Sequence, residues 1–466
     1  MPNWFAYTAL VCWPIISMFL FARLTLAKAT VWTILGAQYF LPAATVIKIP
    51  MVPQFDKASI PSLCVLVGCM VRGQKIRRDK TSYVADVLIG MYVLGPLATS
   101  IFNGDPVVVG RTLIPGVDAY DGGSALLLAA IALFPFLVGR LFLGTTSALA
   151  DCLRALAWGG ICYSVLLLFE MRMSPQLHYW VYGFTPSDFV QQIRGEGFRP
   201  MAFMGHGLIA GFFTMASFAA AAVLSRSGFK LGRIPTNGAV AYLGGILLLS
   251  RSLGATLYGV LLFPFVKWGS ARVQSFLAVS LVSVALAFPL VRYANIVPTG
   301  AVLGMFEAIS PDRAQSLAVR FLNENILLEK ASERWLLGWG RYGRSRVYGE
   351  ESGKDISVTD GRWIIDLGQH GLLGFIAEFG LLSLCVIRAA NTSFRAAQER
   401  LLIVGASLLL AINVVELIPN STLTPWSFLL AGMLLGRAEA KSAAADVQKN
   451  KDYAAGYHFS KVHGGG

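Results

Sequence analysis

Residues 201–225 read MAFMGHGLIAGFFTMASFAAAAVLS, with one His and no charged residue, and residues 273–291 read VQSFLAVSLVSVALAFPLV, with none. At 1.5 Å rise per residue each is long enough to cross a hydrocarbon layer of about 30 Å as a helix. Both are continuous apolar runs rather than period-two alternations. That favours helices, which satisfy their own backbone polar groups in lipid, over a barrel. Composition extends the argument to the whole chain: 55% hydrophobic and 14% charged residues over 466 positions cannot be arranged as one soluble core. The expected fold class is therefore an all-α polytopic membrane protein.

Hydropathy windows along the chain mark about thirteen spans (12–14 in all), centred near 13, 38, 65, 92, 132, 160, 213, 243, 260, 282, 378, 408 and 429. The span near 65 is short, and Ser250-Arg251-Ser252 divides the pair near 243 and 260. Trp4 to Ala22 has no basic leading region and no small-residue cleavage pattern, so it reads as a first span rather than a signal peptide. Lys and Arg in short loops stay cytoplasmic. The cluster Arg72, Lys75, Arg77, Arg78 and Lys80 sets one loop inside, and alternation from it also places Arg140, Arg154, Arg226, Lys230, Arg233, Lys267, Arg272, Arg388, Arg395 and Arg400 inside. Residues 102–120, 172–200 and 293–365 then face outward. The expected organisation is about ten spans over 1–292, a large extracytoplasmic (periplasmic) loop over 293–365, further spans over 366–437, and a flexible cytoplasmic tail over 438–466.

The net charge of +13 is explained by those inward loops, which removes the argument for a nucleic-acid partner. Cys12, Cys64, Cys69, Cys152, Cys162 and Cys385 sit in or beside apolar runs without CxxC or Cys/His spacing, so they read as packing residues and no metal site is expected. No internal repeat is visible, against a transporter built from two matching halves. The late loop, with helix-like Ser316–Glu333 and the Gly- and Arg-rich Leu337–Arg346, reads as a lid or substrate platform.

Three groups of polar residues stand at membrane depth or its outer edge, where each needs a partner or a solvated cavity. In the first, Arg194, Glu196, Arg199 and Pro200 run directly into Met204-Gly205-His206-Gly207 at the outer start of a span. Arginine forks suit phosphate oxygens, so Arg199, Arg194 and His206 are candidates to hold a pyrophosphate whose lipid tail lies in the bilayer. In the second, Arg251 between Ser250 and Ser252 supplies another cation to the same group. The third runs from Asp360 through Asp366 and His370 to Glu378. If helical, Asp366, His370 and Glu378 fall within a sector of roughly 120°, where a carboxylate or imidazole can take a proton from an attacking sugar hydroxyl.

Over residues 195–420 these features, in this order, resemble the O-antigen ligase and O-antigen/exopolysaccharide polymerase superfamily of bacterial surface-polysaccharide enzymes. The likeness is carried by Arg199-Pro200 with His206, Ser250-Arg251, the 293–365 loop with Gly338-Trp339-Gly340, and Asp360 through Gly371-Leu372-Leu373-Gly374. The resemblance implies a multi-pass glycosyltransferase of the bacterial inner membrane, needing no metal or other cofactor. Arginines would grip undecaprenyl pyrophosphate while an acceptor hydroxyl displaces it. Many ligase-type relatives carry a His-Asn pair where this chain has Asp360-Gly361. That leaves the base open among Asp360, His370 and Glu378, and leans toward a polymerase rather than a lipid A-core ligase. The implied partners are an undecaprenyl-pyrophosphate-linked oligosaccharide, membrane lipid, and a chain-length regulator or export proteins. The rival classes are a lipid-linked oligosaccharide flippase and a non-catalytic export subunit.

Overall fold

The computed structural model describes residues 1–49, 52–73, 82–110, 112–194, 197–296, 298–309 and 311–462. The inward cations Lys75, Arg77, Arg78 and Lys80, together with Glu196, lie outside the described residues. The described chain is built of helices: α1 (Trp4–Arg23), α2 (Leu26–Phe40), α3 (Ser59–Val71), α4 (Tyr83–Ile101), α5 (Ala119–Phe142) and α6 (Thr146–Met173) come first. They are followed by α7 (Leu177–Tyr182), α8 (Gly207–Ser227), α9 (Thr236–Leu249), α10 (Leu253–Trp268) and α11 (Ala271–Tyr293). The last five are α12 (Thr299–Ile309), α13 (Pro311–Ser332), α14 (Arg362–Asn391), α15 (Ala397–Glu416) and α16 (Pro425–Val462). Two antiparallel hairpins, β1–β2 (Val107–Val109 with Thr112–Ile114) and β3–β4 (Ile193–Arg194 with Gly197–Phe198), complete it.

Among the described residues eight helices (α1, α4, α5, α6, α8, α11, α14 and α15) are long and apolar enough to cross a membrane. The protein is thus an all-α polytopic membrane protein. The sequence reading expects more spans because it weighs apolarity in windows wider than some of the helices. Helices α3, α9 and α10 are apolar but span only 13, 14 and 16 residues. The window near 38 resolves as α2, centred earlier in the chain. The division at Ser250-Arg251-Ser252 stands between α9 and α10.

Helix α8 is the centre of the bundle: 89% of its apolar stretch is buried, against 28% for α1, α4 and α11. Its Ala219–Ala222 run presents little side-chain bulk, so neighbouring helices approach closely.

The loops sort into two groups by mutual contact. In one, Asn3 bonds Val181, Lys57 bonds Phe203, Arg334 bonds Asp105, and the Arg362 N–H bonds Leu417. In the other, Ser82 bonds Glu439, Thr146 bonds Glu399, Arg154 bonds Lys230, and Lys267 bonds Asn237. The second group carries the short basic loops that the charge rule assigns to one face.

The crossing of α5 and α16 is set by glycines. A Cβ on Gly432 would lie 2.0 Å from the Phe136 carbonyl oxygen, and one on Gly436 would lie 2.3 Å from that of Arg140. The contact is backbone on backbone, so no side-chain rotation can relieve a substitution. Gly436→Val is expected to destabilise the protein by about 2 kcal/mol or more, read as a lower midpoint in detergent thermal unfolding; an unchanged midpoint would refute the close crossing.

Beside that crossing, Arg140 is buried and its guanidinium donates to Asp86 at 2.6 Å and to Glu439 at 2.8 and 3.0 Å. The expected boundary of a flexible tail at 438 is therefore displaced. Ala438 and Glu439 are buried, and the backbone continues in helix to Val462. Ala, Lys, Glu and Gln are strong helix formers and sustain a helix without an apolar period.

Candidate functional site

Among the described residues, two polar centres hold most of the candidate side chains. The first is assembled by the stretch between α7 and α8. A 3-10 turn, Phe189–Gln192, leads into β3–β4, and the Arg199 N–H then donates to the Gln192 carbonyl at 2.8 Å. Arg199 is 8% exposed. Its stem lies on the first residue of α8: a Cβ at Gly207 would be 2.3 Å from Arg199 Cδ. Arg251 stands at the tip of the α9–α10 turn in the left-handed region, φ 53°. Its guanidinium lies on the hairpin, where a Cβ at Gly197 would be 2.6 Å from Arg251 Cζ. Glycine at 197 is thus what lets the α9–α10 turn close on the hairpin, and glycine at 207 makes room for the Arg199 stem.

The support for this centre is polar and buried. Glu170, at the end of α6, accepts the N–H groups of Leu177, Met201 and Ala202 at 3.0, 2.9 and 2.6 Å. It pins the turn that follows Arg199-Pro200. Lys57 donates to the carbonyls of Leu41 and Phe203 at 2.8 and 2.6 Å. His206, expected at the pyrophosphate, is the N-cap of α8. Its Nδ1 accepts the Leu208 N–H at 3.0 Å and its Nε2 faces Gln191 Oε1 at 3.1 Å. The cap fixes the turn that leads into α8. Arg194 lies in β3, its backbone paired with Gly197.

His178, fully buried beneath the same turn, faces the Phe184 carbonyl through Nδ1 at 2.8 Å and accepts the Ala43 N–H through Nε2 at 3.2 Å. Burial pushes its imidazole down to about 4 from the usual 6.5. Between those values the unfolded chain binds a proton that the folded chain refuses, so stability falls as pH drops through the window. The full loss is about 3 kcal/mol. His178→Gln is expected to flatten the acid limb of the detergent unfolding midpoint between pH 6.5 and 4, and parallel pH profiles would refute it.

The second centre lies between α4, α5 and α14, as a cavity of about 270 Å³ lined by Tyr92, Arg341, Arg362, Asp366, Gln369, His370 and Glu378 on its polar side. Arg362 donates to both oxygens of Glu378 at 2.7 and 2.6 Å, and its Nε stands 3.1 Å from Asp366 Oδ1. Asp366 is 3% and Glu378 1% exposed. One forked cation thus holds two buried carboxylates. The sequence expectation of a continuous helical face through Asp366, His370 and Glu378 is corrected by a break. Gly371 has φ 65° and ψ −163°, and α14 is two helices joined there.

The groups freed by that break are bonded by the preceding loop. Trp339 and Gly340 N–H donate to the Gly368 and Gln369 carbonyls at 2.8 and 2.9 Å, and the Leu372 N–H donates to Trp335 O at 2.7 Å. A non-helical backbone at this depth persists because protein supplies its partners. Gly338 sits against the break, a Cβ there lying 2.6 Å from the Gly371 nitrogen. The Gly338-Trp339-Gly340 segment is thereby the plug of the broken helix, and it carries Arg341 over His370.

Asp360 belongs to neither group. It precedes α14 and pairs with Arg320 of α13 at 3.2 Å, with its side chain 41% exposed. No residue lining the second centre comes from α8, α9, α10 or the β3–β4 hairpin. The structure thus brings Arg199, Arg251 and His206 together around β3–β4, brings His370 and Glu378 together elsewhere, and keeps Asp360 apart. Sequence reading does not find Glu170, Arg341 or Arg362 as parts of these centres, nor Arg320 as the partner of Asp360. Only Arg362 carried a signal, as a cation one helical turn before Asp366.

No family model matches the chain, and no curated protein matches it. Fold and polar centres define a multi-pass helical membrane protein with buried ion pairs and an arginine-bearing hairpin at one end of its central helix.

Proposed function

We propose that the protein is a polymerase of a bacterial surface polysaccharide, an O-antigen or exopolysaccharide. It transfers glycan from undecaprenyl pyrophosphate to an acceptor sugar hydroxyl on the extracytoplasmic face of the inner membrane. The observation that carries this reading is the closure of Arg251 on the hairpin that ends in Arg199. Arg251 lies against Gly197, two residues before Arg199, and the Arg199 stem lies on Gly207, the first residue of the buried apolar helix α8. Beside them α9 and α10 expose Leu248, Leu249, Leu253 and Leu257, an apolar face for a polyprenyl chain. Cations fixed in advance stabilise charge growing on a departing pyrophosphate. Asp360 is the base this reading favours. It is half-exposed, and Arg320 of α13 pairs with it at 3.2 Å.

The test is elongation in lipid discs: purified protein with an undecaprenyl-pyrophosphate repeat unit, following product length and released carrier. Longer glycans support the polymerase. Transfer seen only with a lipid A-core acceptor would replace it with a ligase. One observation favours a second reading, translocation of the same lipid-linked glycan: α14 is broken at Gly371 beside a buried ion cluster, as in transporters with discontinuous helices. Movement of the lipid across the disc or vesicle without elongation would establish that reading instead.

A further inference from the structure

We propose that the cavity between α4, α5 and α14 is a pocket for one pyranose ring of the acceptor glycan, a unit away from the reacting hydroxyl. This rests on the transfer reading above for the ring's identity as acceptor, and on the cavity alone for its being a sugar.

Size is the first argument. At about 270 Å³ the cavity lies below the range typical of drug-sized ligands, about 300–1,000 Å³, and suits a single ring. Its two walls differ in kind. The α5 wall is apolar, whereas the α14 wall presents Asp366, Gln369, His370 and Glu378, with Tyr92 and Arg341 flanking them. A pyranose has the same division, with apolar C–H faces and a polar rim of hydroxyls.

Unsatisfied buried groups give the second argument. Asp366 is 3% exposed, and its Oδ2 has no hydrogen-bond partner; neither has His370 Nδ1. A buried polar atom left unpaired costs about 1–3 kcal/mol, and such atoms in a native protein call for a bound partner. Asp366 Oδ2 is an acceptor requiring a donor, and sugar hydroxyls are donors. An apolar ligand would leave it unpaired, and an anion would meet Asp366 and Glu378. The Arg362 fork holds those carboxylates in place through both oxygens of Glu378 and through Asp366 Oδ1, so it does not use Oδ2.

Access follows from the broken helix. The Gly338-Trp339-Gly340 plug carries Arg341 to the cavity and also toward Asp121 and Tyr342 on the loop side.

Saturation-transfer NMR on the full chain in lipid discs tests this, with methyl pyranosides of glucose, galactose, mannose and rhamnose at millimolar concentration. Ring-proton signals are expected for at least one pyranoside, falling five-fold or more in Gln369→Leu and in His370→Phe. Unchanged thermal midpoints in those variants exclude misfolding as the cause. No signal with the parent protein, or equal signals in parent and variants, overturns the pocket. Elongation distinguishes the two readings. Sugar binding lost in the variants, with no elongation from any lipid-linked donor, keeps the pocket and removes the polymerase. Elongation with no dependence on Gln369 or His370 removes the pocket and keeps the polymerase.

Discussion

Arg251→Ala is expected to slow glycan elongation in lipid discs by about 10²–10³-fold, the cost of removing one preorganised donor from developing negative charge, with normal protein level and thermal stability. The stability half follows from the position: Arg251 is exposed at a turn tip and fills no core space. Its backbone, at φ 53°, is one that glycine adopts freely and other residues hold at a cost of about 1 kcal/mol. Arg251→Gly is therefore expected to be at least as stable as the parent and equally inactive, a combination that a structural role for the arginine does not produce. Arg251→Lys keeps the charge but loses the fork, so it recovers only part of the rate. Arg199→Ala is expected to lose activity to the same extent and some stability as well, since its stem is packed on Gly207. Elongation within two-fold of the parent in both Arg251→Ala and Arg251→Gly would remove the pyrophosphate role.

Arg362→Ala is expected to be the most destabilising single charge substitution, by roughly 3–5 kcal/mol, because it strands two carboxylates that are almost wholly buried. The comparison that matters is with the neutral combination Arg362→Met, Asp366→Leu, Glu378→Leu. Ion pairs taken from water repay their desolvation only when complete, so an apolar replacement of all three restores most of the stability lost by the single change. Denaturant unfolding in detergent reads both. If the triple variant is no more stable than Arg362→Ala, the loss came from packing around the guanidinium rather than from unpaired charge.

Much of the architecture was legible because lipid imposes a length and a composition on each crossing, and both are local properties of the chain. The long runs became α1, α4, α5, α6, α8, α11, α14 and α15. Arg251 was recognised as a division because a charge between two apolar stretches has few places to go. The same ground singles out Arg199 and Arg251, although nothing in the sequence says that Arg251 lies against Gly197. That contact joins a hairpin to a turn more than fifty residues away, and it depends on a missing side chain.

What the sequence by itself determined is therefore the class: an all-α chain of many apolar helices, with cations gathered in short loops and arginines at the ends of spans. The tertiary structure alone decided which polar residues face one another. Arg362 lies sixteen residues before Glu378, beyond the reach of helical periodicity, and the two meet because α14 breaks at Gly371. The break itself rests on partners from Trp335 to Gly340, which bond the backbone groups that an unbroken helix would have kept. That His206 caps α8 is likewise visible only in space. Glu439 looks like part of a tail and is the counter-ion of Arg140. In each case the deciding quantity is the desolvation of a polar group, set by what packs around it and not by its neighbours in the chain.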